Sequence, residues 1–226
     1  MILANTGVFD KYSGAYDEWF DNHGDLYEAE LAAVRMLLPS PGARGVEVGV
    51  GSGKFAEPLG ITTGVEPSEK MAERAKKRGI NVLPGVAENL PLSDESFDVV
   101  LMVTTICFVD DILLSFQEAF RVLETGGSII VGFVDKESGL GRQYAEKRNR
   151  SKFYKDASFY STPEVLNYLS EAGFVTEQIK QTLIPGSHDK KIEDGFGKGA
   201  FIVVKALKIF KEHHQGVLGD KGNNNC

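Results

Sequence analysis

The chain has 226 residues, 42% hydrophobic and 25% charged, an ordinary globular composition that excludes a disordered or fibrous repeat. Its 32 acidic side chains outnumber 25 basic ones for a formal charge of −7, which opposes the phosphate-neutralising surface of a nucleic-acid binder. No run reaches the roughly 18 apolar residues of a membrane helix, so neither nucleic acid nor a membrane is expected as a partner.

The first residues, Met1 to Asn5, lack the basic start and sustained apolar stretch of an export signal. Two cysteines, Cys107 in an apolar run and Cys226 at the end, are too few for a disulfide framework and fit a reducing cytoplasm. From Asp25 to Leu38, the apolar positions Leu26, Ala29, Ala33 and Leu37 recur at helical spacing, with Glu28, Glu30 and Arg35 between them. Pro39 to Gly42 ends that helix. A short strand over 45–48, a glycine-rich turn, a helix-compatible stretch and a second strand at 63–66 then make a βαβ unit.

Ser68 to Arg78 reads as a helix capped by Ser68 and stopped by Gly79. Strands follow over 80–83 and 97–103, the second a nearly unbroken apolar run suited to a strand buried on both faces. An amphipathic helix over 112–123 and a buried strand over 128–134 continue the alternation, which predicts a doubly wound sheet with ligands at the carboxyl ends of its strands. Lys136 to Lys155 is charged and reads as a surface excursion. Thr162-Pro163-Glu164 opens a helix with Thr162 as its cap, running to Glu171. Two last strands are expected over 174–183 and 199–205, separated by a polar loop, and 208–226 reads as a tail whose polar end, Lys221 to Cys226, is expected to fray.

The chemistry gathers at strand ends. Glu47-Val48-Gly49-Val50-Gly51-Ser52-Gly53 lies between a strand and a helix, where missing β-carbons let a ligand rest on the backbone. A dinucleotide fingerprint would need glycine or alanine at position 54, where this chain has Lys54. Read alone, the loop also serves as strand-to-helix punctuation. Glu66, at the end of the next strand and followed by Pro67, can accept hydrogen bonds from both hydroxyls of a ribose across the switch point. Equally, it is an acid favoured by the helix N-terminus that follows.

Together with Gly85-Val86-Ala87-Glu88-Asn89-Leu90-Pro91 and Leu123-Glu124-Thr125-Gly126-Gly127, these motifs resemble the class I S-adenosylmethionine-dependent methyltransferases. The similarity is to the small-molecule group that includes quinone-biosynthesis enzymes. It implies an α/β, Rossmann-like, doubly wound and mostly parallel seven-stranded sheet with the last strand antiparallel. It also implies one domain over 1–226, with a helical lead-in to 41, a cofactor core over 42–135, an acceptor side over 136–207 and a tail.

By the same resemblance, S-adenosylmethionine is the cofactor and a small molecule the methyl acceptor. Gly49, Gly51 and Gly53 would receive its methionine part, Glu47 would stand near the amino-acid end, and Glu66 with Pro67 would hold the ribose. Ala87 and Glu88 would edge the adenine, and Val103 and Thr104 would contact the methionyl group. Many relatives have an aspartate where Val86 stands, and a His-His pair where this chain has Cys107-Phe108. No general base is therefore read, and Phe108 is placed in the acceptor pocket. Tyr12 and Tyr16 resemble a tyrosine-rich lead-in that closes over the cofactor; the alternative is a helix burying aromatics against the sheet edge. No histidine and cysteine spacing suggests a metal. A nicotinamide-dependent oxidoreductase and a non-catalytic S-adenosylmethionine-binding protein are the competing readings.

Overall fold

The structure, a computed structural model, describes residues 7–39, 42–148, 151, 153–155, 157–186 and 190–209. Cys226, the adjacent His213 and His214, and most of the expected tail lie outside the described residues.

Two helices, α1 (Gly7–Asn22) and α2 (Gly24–Arg35), precede β1 (Gly45–Val48), α3 (Ala56–Leu59) and β2 (Thr63–Val65). Next come α4 (Glu69–Lys77), β3 (Asn81–Leu83), β4 (Phe97–Val103), α5 (Ile112–Val122) and β5 (Leu123–Val134). The chain continues through α6 (Gly139–Lys147), α7 (Thr162–Glu171), β6 (Val175–Thr182), β7 (Glu193–Asp194) and β8 (Phe201–Leu207). One sheet runs in the order β3-β2-β1-β4-β5-β8-β6-β7. The first five strands are mutually parallel, while β8 inserts antiparallel between β5 and β6.

The sheet thus has eight strands rather than seven. The extra one is β7, two acidic residues with no readable periodicity in a stretch read as loop. Pairing with β6 is supported by Lys180 Nζ on Asp194 at 2.5 Å and by Gln181 Nε2 donating to the Asp194 carbonyl.

β4 is buried along its last five residues, and its side chains alternate between two cores. Val100 and Met102 pack with Phe116, Val165 and Leu169 under α5 and α7. Val99, Leu101 and Val103 pack with Val34, Leu37, Ala72 and Ala75 under α2 and α4. Each such apolar side chain contributes about 1.5–3 kcal/mol on burial, which is why the unbroken run is a central strand.

Helix starts follow local chemistry. Ser68 accepts from the Met71 amide at 3.3 Å, and Asp111 caps α5 through the Leu114 amide at 3.0 Å. The cap of α7 is Ser161, not Thr162: Ser161 and Glu164 form a reciprocal capping box. The Thr162 hydroxyl instead donates to Asp135 at 2.6 Å. The stretch read as a charged excursion contains α6, which shows little apolar periodicity because only Gly141 in it is buried. Glu30 is also turned the other way from expectation: it is 5% exposed, while Leu26 is 36% exposed. Residues 30, 34 and 37 form one helical stripe, and the acid shares it with Val34 and Leu37.

Candidate active site

The sheet order reverses between β1 and β4, and a cleft opens at their carboxyl ends. The turn after β1 forms its floor. Gly49 has φ +69°, and a β-carbon there would meet Thr105 Cγ2 at 2.5 Å, so the close crossing of two loops requires glycine. Gly51 needs glycine for its φ of +55°, since a β-carbon there would make only ordinary contacts, with Met71 Cε the nearest atom at 3.5 Å.

Glu66 ties this turn to the second strand. One oxygen accepts from the Gly51 amide and the other from the Ser68 amide, both at 2.8 Å. It is 7% exposed; burial pushes its carboxyl up to about 7, against the lowering effect of those two amides. Glu47 is more deeply enclosed at 2% exposure. It accepts from the Ala56 amide, yet its Oε2 has no hydrogen-bond partner among the described residues. Burial first, and then Glu66, push its carboxyl well above the usual range. A buried, unpaired carboxylate oxygen is costly unless a donor or cation meets it.

The opposite wall comes from the end of β4. Thr104 follows β4 with φ +52°, a strained conformation for a β-branched residue. Its amide donates to the Gly132 carbonyl at 2.8 Å, which helps hold the turn. Its side chain hydrogen-bonds the Tyr16 hydroxyl, and burial holds the Tyr16 proton on well above the usual tyrosine range.

α1 is strapped across the cleft. Asp17 accepts from Ser52 Oγ at 2.5 Å and pairs with Arg74 at 2.9 Å, and Asp10 accepts from Ser68 Oγ at 2.6 Å. This fixes Phe9 edge-on against Phe108, ring centres 4.9 Å apart, with Tyr16 beside it.

Of the expected residues, Gly49, Gly51, Glu66, Pro67, Ala87, Glu88, Val103, Thr104, Tyr16 and Phe108 line this cleft together. Tyr12, Glu47 and Gly53 lie off its wall. A kink at Tyr12 (φ −120°, ψ 24°) carries that ring toward Phe153, and Phe9 takes the lining position. Gly53 serves packing, since a β-carbon there would meet Ile80 Cδ1 at 2.5 Å. Glu88 also has a structural duty, accepting from the Asp110 amide at 2.7 Å. Sequence reasoning missed Met71, Thr105 and Asp110 as lining residues. Met71 was legible only as a core position of α4.

A second, smaller cavity shares Thr104 with the cleft. Cys107, Tyr144, Tyr154, Phe159 and Tyr160 line it. Tyr154 is stacked between Phe108 and Tyr144, at 6.0 and 5.1 Å between ring centres. Burial pushes the Cys107 thiol up to about 12, so it is a protonated packing group and not a nucleophile. Among the described residues, no cluster of three or more His, Cys, Asp or Glu side chains is placed to hold a metal ion.

Residues 46–131 match the methyltransferase domain family. An uncharacterized protein of Methanocaldococcus jannaschii is 43% identical over 205 residues, covering 89% of this chain and 99% of that protein. A crystal structure from Thermotoga maritima, described as an S-adenosylmethionine-dependent methyltransferase and possible histamine N-methyltransferase, is 50% identical. It superposes with a TM-score of 0.86 over 90% of this chain and 99% of that one. The chain belongs to the S-adenosylmethionine-dependent methyltransferases. A demethylmenaquinone methyltransferase of Tropheryma whipplei is 31% identical over 134 residues, 55% of this chain and 56% of that protein, in keeping with the quinone-enzyme likeness. S-adenosylmethionine is accordingly this methyltransferase's cofactor, and the nicotinamide alternative falls. The cleft fits that cofactor: a glycine floor admits it, and the buried carboxyl of Glu66 lines it.

Proposed function

We propose that this methyltransferase acts on a small molecule seated in the aromatic cavity, with Thr104 at the junction where methyl passes from cofactor to acceptor. The observation that carries this reading is the shared wall: one strained residue faces both the cleft and the cavity. When bound, the cofactor supplies a methyl group on positively charged sulfur, an already excellent leaving group.

Glu66 and Pro67 hold the ribose, Ala87 and Glu88 edge the adenine, and Gly49, Gly51 and Val103 cradle the methionyl portion. Glu47 offers its free oxygen toward the amino-acid end. Tyr16, Phe9 and Phe108 exclude water, and the stacked rings of Tyr154 and Tyr144 orient the acceptor for in-line attack. Tyr16, Tyr154 and Cys107 all keep their protons at neutral pH because they are buried. The acceptor therefore brings its own electron pair.

Acceptor choice resides in the 136–158 stretch, which supplies Tyr144 and Tyr154. The acidic chain favours a small molecule over a nucleic acid. No described helix is long and apolar enough to cross a membrane, and a chain with two cysteines suits a reducing cytoplasm. The test is a screen of phenols, quinols, thiols and amines for methylated product by mass spectrometry, followed by Tyr154→Ala. The variant should raise acceptor KM with cofactor affinity unchanged. Loss of cofactor affinity with acceptor KM unchanged would contradict the assignment of the two cavities.

A further inference from the structure

The aromatic cavity has a second neighbour besides the cofactor cleft. Phe159 forms part of its wall and also part of the wall of an open hollow, which Lys136 and Glu137 share with Arg142 and Glu146 of α6 and with Arg148, the residue that ends that helix. Cleft, cavity and hollow are thus joined through two residues, Thr104 and then Phe159.

α6 is anchored so that it serves both of the outer spaces. Ser138 caps it through the Gly141 amide at 2.9 Å, and Gly141 packs on the Asp135 carbonyl. Tyr144 and Arg148, four residues apart, share one side of the helix, the ring lining the cavity and the guanidinium the hollow. Arg148 reaches across to donate to the Ala157 carbonyl at 3.4 Å, two residues before Phe159, and Arg142 donates to the Glu137 carbonyl. Each bond engages one of a guanidinium's five N–H donors and leaves its charge unpaired.

That state sets these two apart from Arg44, Arg74, Arg78 and Arg121, each of which pairs with a carboxylate. Lys136 is committed to Glu164 at 2.6 Å. Glu137 and Glu146 reach the wall of the hollow, yet among the described residues neither closes an ion pair on Arg142 or Arg148. In a chain of net charge −7, two guanidiniums with free donors beside an aromatic ring are a setting for a carboxylate or phosphate oxygen.

We propose that Arg148, with Arg142, binds an anionic group of the acceptor at the mouth of the aromatic cavity, so that the acceptor is a small molecule with an apolar body and a carboxylate or phosphate tail. The proposal rests on the methyltransferase reading of the cavity and adds a substrate class to it. The body lies against Tyr144, Tyr154 and Phe159, and the tail stays in the hollow while the reacting atom faces Thr104. The anion is therefore a handle, and the methyl group goes to an atom of the body. Both arginines are exposed, so the pairing is open to salt and governs which acceptor is held.

The test is calorimetry on the full chain. S-adenosylhomocysteine is titrated first; failure to bind it would overturn the cofactor reading and the proposal with it, and is seen separately from failure at the arginines. The loaded protein is then titrated with 3-phenylpropionate, 3-phenylpropyl phosphate, the neutral 3-phenylpropanamide and the cationic 3-phenylpropylamine, which share one body and distinguish the two tails. The expected result is tighter binding of at least one anion than of the amide or the amine, with an affinity that falls as salt is raised. The double variant Arg142→Gln, Arg148→Gln should weaken that anion about tenfold, with the affinities for the amide and for S-adenosylhomocysteine unchanged. Arg148→Lys alone should keep part of the preference. Tyr154→Leu should weaken anion and amide alike. Absence of anion binding to the loaded protein, equal binding of anion and amide, an anion preference unchanged in the double variant, or anion binding indifferent to Tyr154→Leu overturns the proposal.

Discussion

Glutamine at position 30 replaces a group whose titration works against the fold at neutral and alkaline pH. The Glu30 carboxyl titrates near 8 in the folded chain and near its ordinary 4.5 when unfolded, because burial disfavours the charged form. The folded state therefore holds the extra proton between those values. The stability linked to this proton is complete below pH 4.5 and is lost as pH rises through 8. At about 1.4 kcal/mol per pH unit across that gap, the loss is roughly 5 kcal/mol. Glutamine has no such titration, but its buried amide costs about 1–3 kcal/mol if unsatisfied. The two stability curves should therefore cross. Wild type is the more stable at pH 5, and Glu30→Gln is the more stable at pH 9, with an excess of several degrees in Tm at about 2–4 °C per kcal/mol. Urea unfolding from pH 5 to 9 reads this directly, and Glu47 and Glu66 cancel in the difference between the two proteins. Parallel curves across that range would refute the assignment of a lone, ionisable Glu30 in the interior.

The glycine floor and the α1 strap give two more outcomes. Gly49→Ala places a methyl group 2.5 Å from Thr105 at a positive φ, so it should cost about 2–4 kcal/mol in urea unfolding and abolish cofactor binding in calorimetry. Asp17→Ala removes the acceptor of Ser52 and Arg74, and should cost about 1–3 kcal/mol. It should weaken S-adenosylhomocysteine and open residues 7–22 to limited proteolysis, with the cut suppressed by saturating ligand.

Much of the sheet is legible because strand burial leaves a local mark. The 97–103 run is apolar on both faces, and it became β4 with those bounds. Ser68 and the glycines at 49 and 51 announce themselves because caps and left-handed turns demand particular residue types. What escaped reading depends on three-dimensional context. β7 is two acids held by partners on β6, and α6 owes its place to packing of Gly141 against the Asp135 carbonyl, where a β-carbon would come within 2.1 Å. Phe9 replaced Tyr12 at the cleft because a backbone kink, invisible in a helical pattern, rotates the two apart. Glu30 reads only as one of the polar residues between apolar positions of α2, although its spacing to Val34 and Leu37 places it on the inner stripe. The union of two cavities at Thr104 has no sequence signature, since its wall gathers residues from 104 to 160.

The central claim, that the cleft between β1 and β4 binds S-adenosylmethionine through Glu66, is tested most directly by calorimetry on wild type and Glu66→Ala with S-adenosylmethionine, S-adenosylhomocysteine and NAD. The account predicts saturable binding of both adenosyl ligands, strongly weakened in the variant, with no binding of NAD. Wild-type affinity retained by Glu66→Ala would contradict it.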